Sequence, residues 1–169
     1  MSKLSEHFDD SEMRCPCCNK VLVKPSLIDR LEQLYRKMNA SKIIVNSGYR
    51  CPEHSVAVGG YANDAHTMGI AADVTVYKQD GTPYNVETVA FYANLLSFGG
   101  IGLMNGNSIH LDVRDEGGYV NNFWHGDERT GKNIDCSRLE HEEIQKQTSK
   151  HKVTIMIDNH VYSGLLEEE

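Results

Sequence analysis

Ile101-Gly102-Leu103-Met104-Asn105-Gly106-Asn107-Ser108-Ile109-His110-Leu111-Asp112-Val113 decides the fold. A short apolar run, Ile101 to Met104, meets Asn105-Gly106, the strongest short-range hairpin signal, and returns as Ser108 to Val113. Successive side chains on a strand point to opposite faces, so His110 and Asp112 share one face while Ile109 and Leu111 share the other. The returning strand therefore has an apolar side to pack and a side carrying an imidazole and a carboxylate.

Outward from the hairpin, further elements follow the same rules. Ala71-Ala72-Asp73-Val74-Thr75-Val76 is strand-like and carries Asp73, and Ile43-Ile44-Val45 is a second apolar run, closed by the turn Ser47-Gly48-Tyr49-Arg50. Between them Val58 to Ala65 is glycine-bearing and irregular, which places His66 on a loop. After Pro25, Ser26 can cap a helix whose apolar positions are Leu27, Leu31, Leu34, Tyr35 and Met38, with Asp29 in its first turn. Asn85 can cap another, with Val86, Val89, Ala90, Ala93 and Leu96 on one side and Gly99-Gly100 as its stop. The expected class is α+β: a small antiparallel sheet with helices packed against it.

Residues 1–13 are polar and read as a loose N-terminal segment, and residues 14–136 as the main domain. Residues 137–152 are a charged linker or helix with only Leu139 and Ile144 to pack. Residues 153–169 form a tail in which Val153–Ile157 and Val161–Leu166 flank Asp158-Asn159 as a β-hairpin, ending in Glu167-Glu168-Glu169. A lone hairpin is marginal in water, so this tail must pack on the body or on a second subunit.

The chain has 169 residues, with 17 Lys+Arg against 24 Asp+Glu, a formal charge of −7. No basic cluster stands ready to neutralise phosphates, which argues against nucleic acid as a partner. No run of eighteen apolar residues can span a membrane, and the first residues lack a signal-peptide core, so the expectation is cytoplasmic synthesis followed by delivery to wherever the substrate lies. The five cysteines are Cys15, Cys17, Cys18, Cys51 and Cys136, an odd number that no complete disulfide framework uses. Reduced structural thiols, a disulfide to Cys51, and a second metal site on the Cys15-Pro16-Cys17-Cys18 cluster with Cys51 are the three readings of that group.

His66, Asp73 and His110 are candidate metal ligands. Two neutral imidazoles and one carboxylate make a three-ligand zinc set with a fourth position open, the pattern that separates catalytic from closed structural sites. The wording around them carries a resemblance. Ser47-Gly48-Tyr49-Arg50-Cys51-Pro52, Val58-Gly59-Gly60, Ala65-His66-Thr67-Met68-Gly69-Ile70-Ala71-Ala72-Asp73 and Ile109-His110-Leu111-Asp112-Val113-Arg114 resemble, in content and order, the D-Ala-D-Ala carboxypeptidase family of zinc peptidases. That family includes bacterial carboxypeptidases and phage endolysins and is related to the hedgehog signalling domain; the resemblance runs over about residues 14–125, including Phe123-Trp124.

The resemblance implies one zinc ion held by His66, Asp73 and His110, and a peptidase that cuts an amide bond in peptidoglycan stem peptides, of D-Ala-D-Ala carboxypeptidase or L-Ala-D-Glu endopeptidase type. It implies that Arg50 binds the substrate's carboxylate or polarised carbonyl, for which a planar guanidinium is suited. Ser47 and Tyr49 beside it are candidate substrate contacts, and a surface pairing of Arg50 with Glu53 is the plainer alternative. Many relatives place a general base two or three residues before the last ligand; Ser108 and Asn107 occupy those positions here and cannot serve. Asp112 is then the nearest carboxylate, as the base or as the group that orients His110, with His54 and His125 in reserve. The alternative function is a zinc-stabilised peptidoglycan- or protein-binding module without catalysis.

Overall fold

The computed structural model describes residues 2–117 and 124–134, together with the backbone of strands 152–157 and 160–165. The chain divides into two compact units, Met1–Ile134 and Asp135–Glu169. The first is α+β. In order it contains α1 (Pro25–Lys37), β1 (Lys42–Ser47), α2 (Pro52–Ala57), β2 (Ala71–Tyr77), α3 (Val86–Leu95), β3 (Gly100–Leu103), β4 (Ile109–Asp112), a 3-10 turn at Arg114–Gly117, β5 (Trp124–Asp127) and β6 (Lys132–Asn133). The strands form one sheet in the order β1-β2-β4-β3-β5-β6. It is antiparallel across β1, β2, β4 and β3, as expected, and β5 then joins β3 in parallel, which makes the whole sheet mixed.

Register gives the two faces different chemistry. Val74 and Val76 of β2, Ile109 and Leu111 of β4, and Ile101 and Leu103 of β3 are buried together, with α3 packed on β3 and β4 and α1 on α3. Each such side chain contributes about 1.5–3 kcal/mol when taken out of water. The opposite face carries Asp73 paired across from His110, which is in turn across from Gly102, and Asp112 across from Gly100. Between Val45 and Ser47 the β1 register shifts by a bulge, which sets Ser47 opposite Asp73. Bulges of this kind re-aim side chains beside functional sites.

The helix ends depart from the expectation. The N-cap of α1 is Lys24, not Ser26, and no side chain caps it. Pro25 sits at the first helical position, where its fixed φ suits the helix and its missing N–H costs nothing. Asp29 therefore falls beyond the first turn. Asn85 does cap α3, accepting the Glu87 N–H at 2.8 Å. That helix stops at Ser97, which takes a left-handed φ of 61°, before the glycines are reached.

The N-terminal segment is not loose. Phe8 and Met13 are fully buried, and the Glu32 carboxylate of α1 accepts from Ser5 Oγ at 2.7 Å and from the His7 backbone at 2.9 Å. Two apolar residues among polar ones are enough to dock this segment.

The second unit shows β7 (Lys152–Ile157) and β8 (His160–Leu165) as an antiparallel pair with Ile157 opposite His160. The expected linker, Cys136 and Phe123 lie outside the described residues. Among the described residues no helix is long and apolar enough to cross a membrane.

Candidate metal centre

His66, Asp73 and His110 reach one point from three segments: a loop, the start of β2 and the middle of β4. The Nε2 of His66 lies 3.2 Å from the Nδ1 of His110 and 3.2 Å from the Oδ1 of Asp73, and that oxygen lies 3.0 Å from the His110 Nδ1. Ligands at 2.0–2.1 Å from a tetrahedral ion stand ~3.3 Å apart, so these edges match one triangular face of such a site.

Hydrogen bonds behind the ligands decide what they present. Nδ1 of His66 faces the Gly48 carbonyl at 2.8 Å and must donate to it, which leaves Nε2 as a bare lone pair. Nε2 of His110 faces the Asp112 carboxylate at 3.1 Å and must donate likewise, which leaves Nδ1 bare. Three electron pairs then converge at hydrogen-bond distance with no hydrogen among them, a stable arrangement only around a cation. The donor set fits zinc.

Electrostatics repeats the point. Burial opposes charge on His110, but the carboxylates of Asp112 and Asp73 outweigh it and push its pKa up to about 9. Burial likewise opposes a charged Asp73, and its hydrogen bonds to His110 and His66 win, holding it well below the usual carboxylate range. The site demands positive charge where the three donors meet, and a proton and a metal ion compete for that place.

Each ligand has its own support. Arg50 donates through Nη2 to Asp73 Oδ2 at 2.5 Å and through Nε to Ser47 Oγ at 2.9 Å, so the Arg50 pairing is with Asp73 and not with Glu53. Asp112 is fully buried and gives both oxygens to Arg114, at 3.0 and 2.6 Å, besides its bond to His110. Gly100 makes this possible, since a Cβ there would run into the Asp112 carboxylate. Asp112 therefore meets His110 at Nε2, the ring nitrogen opposite the one that faces Asp73 and His66.

A groove of about 550 Å³ opens over the centre, lined by Arg50, Tyr61, His66, Asp73, His110, Arg114, Trp124 and Glu128 among others. Ser47 and Tyr49 are not in its wall. Ser47 supports Arg50, and Tyr49 is half-buried near Cys18, Cys51 and Cys15, partial burial first and those sulfurs second raising its pKa. His54 does not line the groove, and His125 pairs with Ile101 in the β5 register, which turns it to the helix-covered face.

A sequence model of Peptidase M15 matches residues 6–112, more than half of the chain. The chain belongs to the Peptidase M15 family. M15 peptidases are zinc-dependent, and in this member His66, Asp73 and His110 form the group that can hold the ion. No curated protein sequence matches the chain. The M15 match ends at Asp112, so β5 and the turn after it lie beyond it.

That turn supplies a residue the sequence did not announce. Glu128 follows β5, lines the groove, and its Oε1 would stand 3.2 Å from a Cβ on Gly102, the residue directly across from His110. Trp124 occupies the same glycine floor, its ring 5.9 Å from that of His110. Among the described residues no hydrogen bond or ion pair engages the Glu128 carboxylate, whereas Asp64, the other acid of the rim, is bound by Ser55 and the Thr67 N–H. Only the parallel pairing of β5 with β3 brings Glu128 here, and no local motif signals it.

Proposed function

We propose that the chain is a zinc metallopeptidase hydrolysing an amide bond in peptidoglycan stem peptides, with His66, Asp73 and His110 as metal ligands and Glu128 as general base. The observation that carries this reading is the convergence of three bare donors, 3.0–3.2 Å apart, beneath a groove that also holds a carboxylate engaged by no described residue. Zinc bound there supplies a Lewis acid that polarises a carbonyl and makes water acidic.

The chain's own residues do the rest. Glu128 accepts the proton of the attacking water and returns it to the departing amine, a task open to it because no described residue engages its oxygens. Arg50 keeps Asp73 ionised and in place, and its Nη1, which no described residue engages, faces the substrate's carboxylate or carbonyl. Asp112, anchored by Arg114, fixes the His110 tautomer. Trp124, Met104 and Tyr61 offer the peptide an apolar wall.

The test is digestion of purified muropeptides by the zinc-loaded full chain, with mass spectrometry of the new termini, which also tells a D-Ala-D-Ala cut from an L-Ala-D-Glu cut. Wild type should cleave and His66→Ala should not. A chain that binds zinc and leaves every muropeptide intact is the binding module instead.

A further inference from the structure

A second group of metal-binding side chains lies outside the groove. The sulfurs of Cys15, Cys18 and Cys51 all lie within 4.8 Å of one another, and none of the three cysteines is in a disulfide. Cys15 and Cys51 are buried. Cys15 and Cys18 belong to one tight loop, in which the Cys15 N–H donates to the Lys20 carbonyl and the Asn19 N–H to the Cys15 carbonyl, both at 2.9 Å. Asn19 turns the chain with a φ of 60°, and both sulfurs lie beside that of Cys51, which is 36 positions from Cys15 in sequence.

A backbone donor is aimed into this group of sulfurs. The Cys51 backbone N–H points at the Cys15 sulfur at 3.4 Å. Backbone donors aimed at sulfur stabilise negative charge, and a disulfide has none to stabilise. Three thiolates packed this closely repel unless a cation joins them, and thiolates about 2.3 Å from a tetrahedral zinc stand ~3.8 Å apart.

We propose that Cys15, Cys18 and Cys51 hold a second, structural zinc ion. It ties the N-terminal segment to the segment that orders the first centre: Gly48 supplies the carbonyl that fixes His66, Arg50 clamps Asp73, and Cys51 follows directly. The two segments already touch, with the Tyr49 N–H donating to the Met13 carbonyl at 3.0 Å. A buried, sulfur-rich site beside a nitrogen and oxygen site is the ligand division between structural and catalytic zinc.

Cobalt tells the two apart, because only thiolate ligands give an intense near-ultraviolet charge-transfer band. The reduced full chain loaded with cobalt should show that band and bind two ions. His66→Ala should lose one ion and keep the band, whatever it does to peptide cleavage, so this proposal and the hydrolase reading fail separately. Cys51→Ser should lose the band and one ion. Should that variant not fold, mercurial titration of wild-type zinc protein replaces it, and release of one of the two ions on thiol modification is expected. A reduced wild type that binds a single ion and shows no band overturns the proposal.

Discussion

The two nitrogens of His110 have opposite duties, and the residues behind the ring enforce the division. Nε2 must carry a proton because the buried Asp112 carboxylate faces it at 3.1 Å, and Nδ1 must not because it serves the metal point. Replacing Asp112 by Asn removes the charge that holds this tautomer while keeping the side chain's size. Zinc affinity should fall about 10–100-fold, read by competition with a chromophoric chelator; unchanged affinity would deny Asp112 its orienting role. Glu128→Gln separates the base from the ligands. It should lower kcat about 10²–10⁴-fold with zinc content intact, since general-base catalysis is worth that much. Equal rates for variant and wild type would send the search for the base elsewhere.

Strands and glycines set the geometry at the next scale. Gly100 lies across from Asp112 with no room for a side chain, whereas Gly106 sits in the β3–β4 turn with open space around its α-carbon and a φ of 70°. Gly100→Ala should push the Asp112–Arg114 pair off His110 and weaken zinc binding; Gly106→Ala should strain the turn by about 1–2 kcal/mol and leave the metal alone. Isothermal titration of both variants checks the contrast, and similar zinc affinities would remove the steric argument. The hairpin and β2 are legible because alternation on a strand decides which side chains share a face, and this set His110 beside Asp112; Asp73 joined them only through the ligand pattern and the family resemblance. Trp124-His125-Gly126-Asp127 was not: Gly and Asp are poor strand formers, and a parallel partner is chosen by a crossover that no local pattern encodes. Glu128 was hidden for the same reason. Helix α2, six residues long, is too short for periodicity to register.

At the scale of the whole molecule, the N-terminal segment and the body are joined through Glu32. Burial raises the pKa of this carboxyl, but its bonds from Ser5 and His7 outweigh that and lower it in the folded chain. A carboxylate depressed by folding contributes stability above its unfolded pKa of about 4.3, and the contribution fades as pH falls through the lower folded value. Hydrogen exchange should therefore show residues 2–12 losing protection in acid before the sheet does, and Glu32→Gln should flatten that dependence. Simultaneous loss of protection in both regions would mean that Glu32 is no separate latch. Phe8 and Met13 explain why a stretch that reads as loose is held at all: each is a lone apolar residue, and pattern needs more than one.

Trp124 is the chain's only tryptophan. Its indole stands over the glycine floor beside His110, with the Arg114 guanidinium 5.6 Å from the ring centre. Every photon of indole emission from this protein thus originates at the groove, so the arrival of an ion or a peptide can be followed without a label by native fluorescence, excited at the red edge where the eight tyrosines do not absorb.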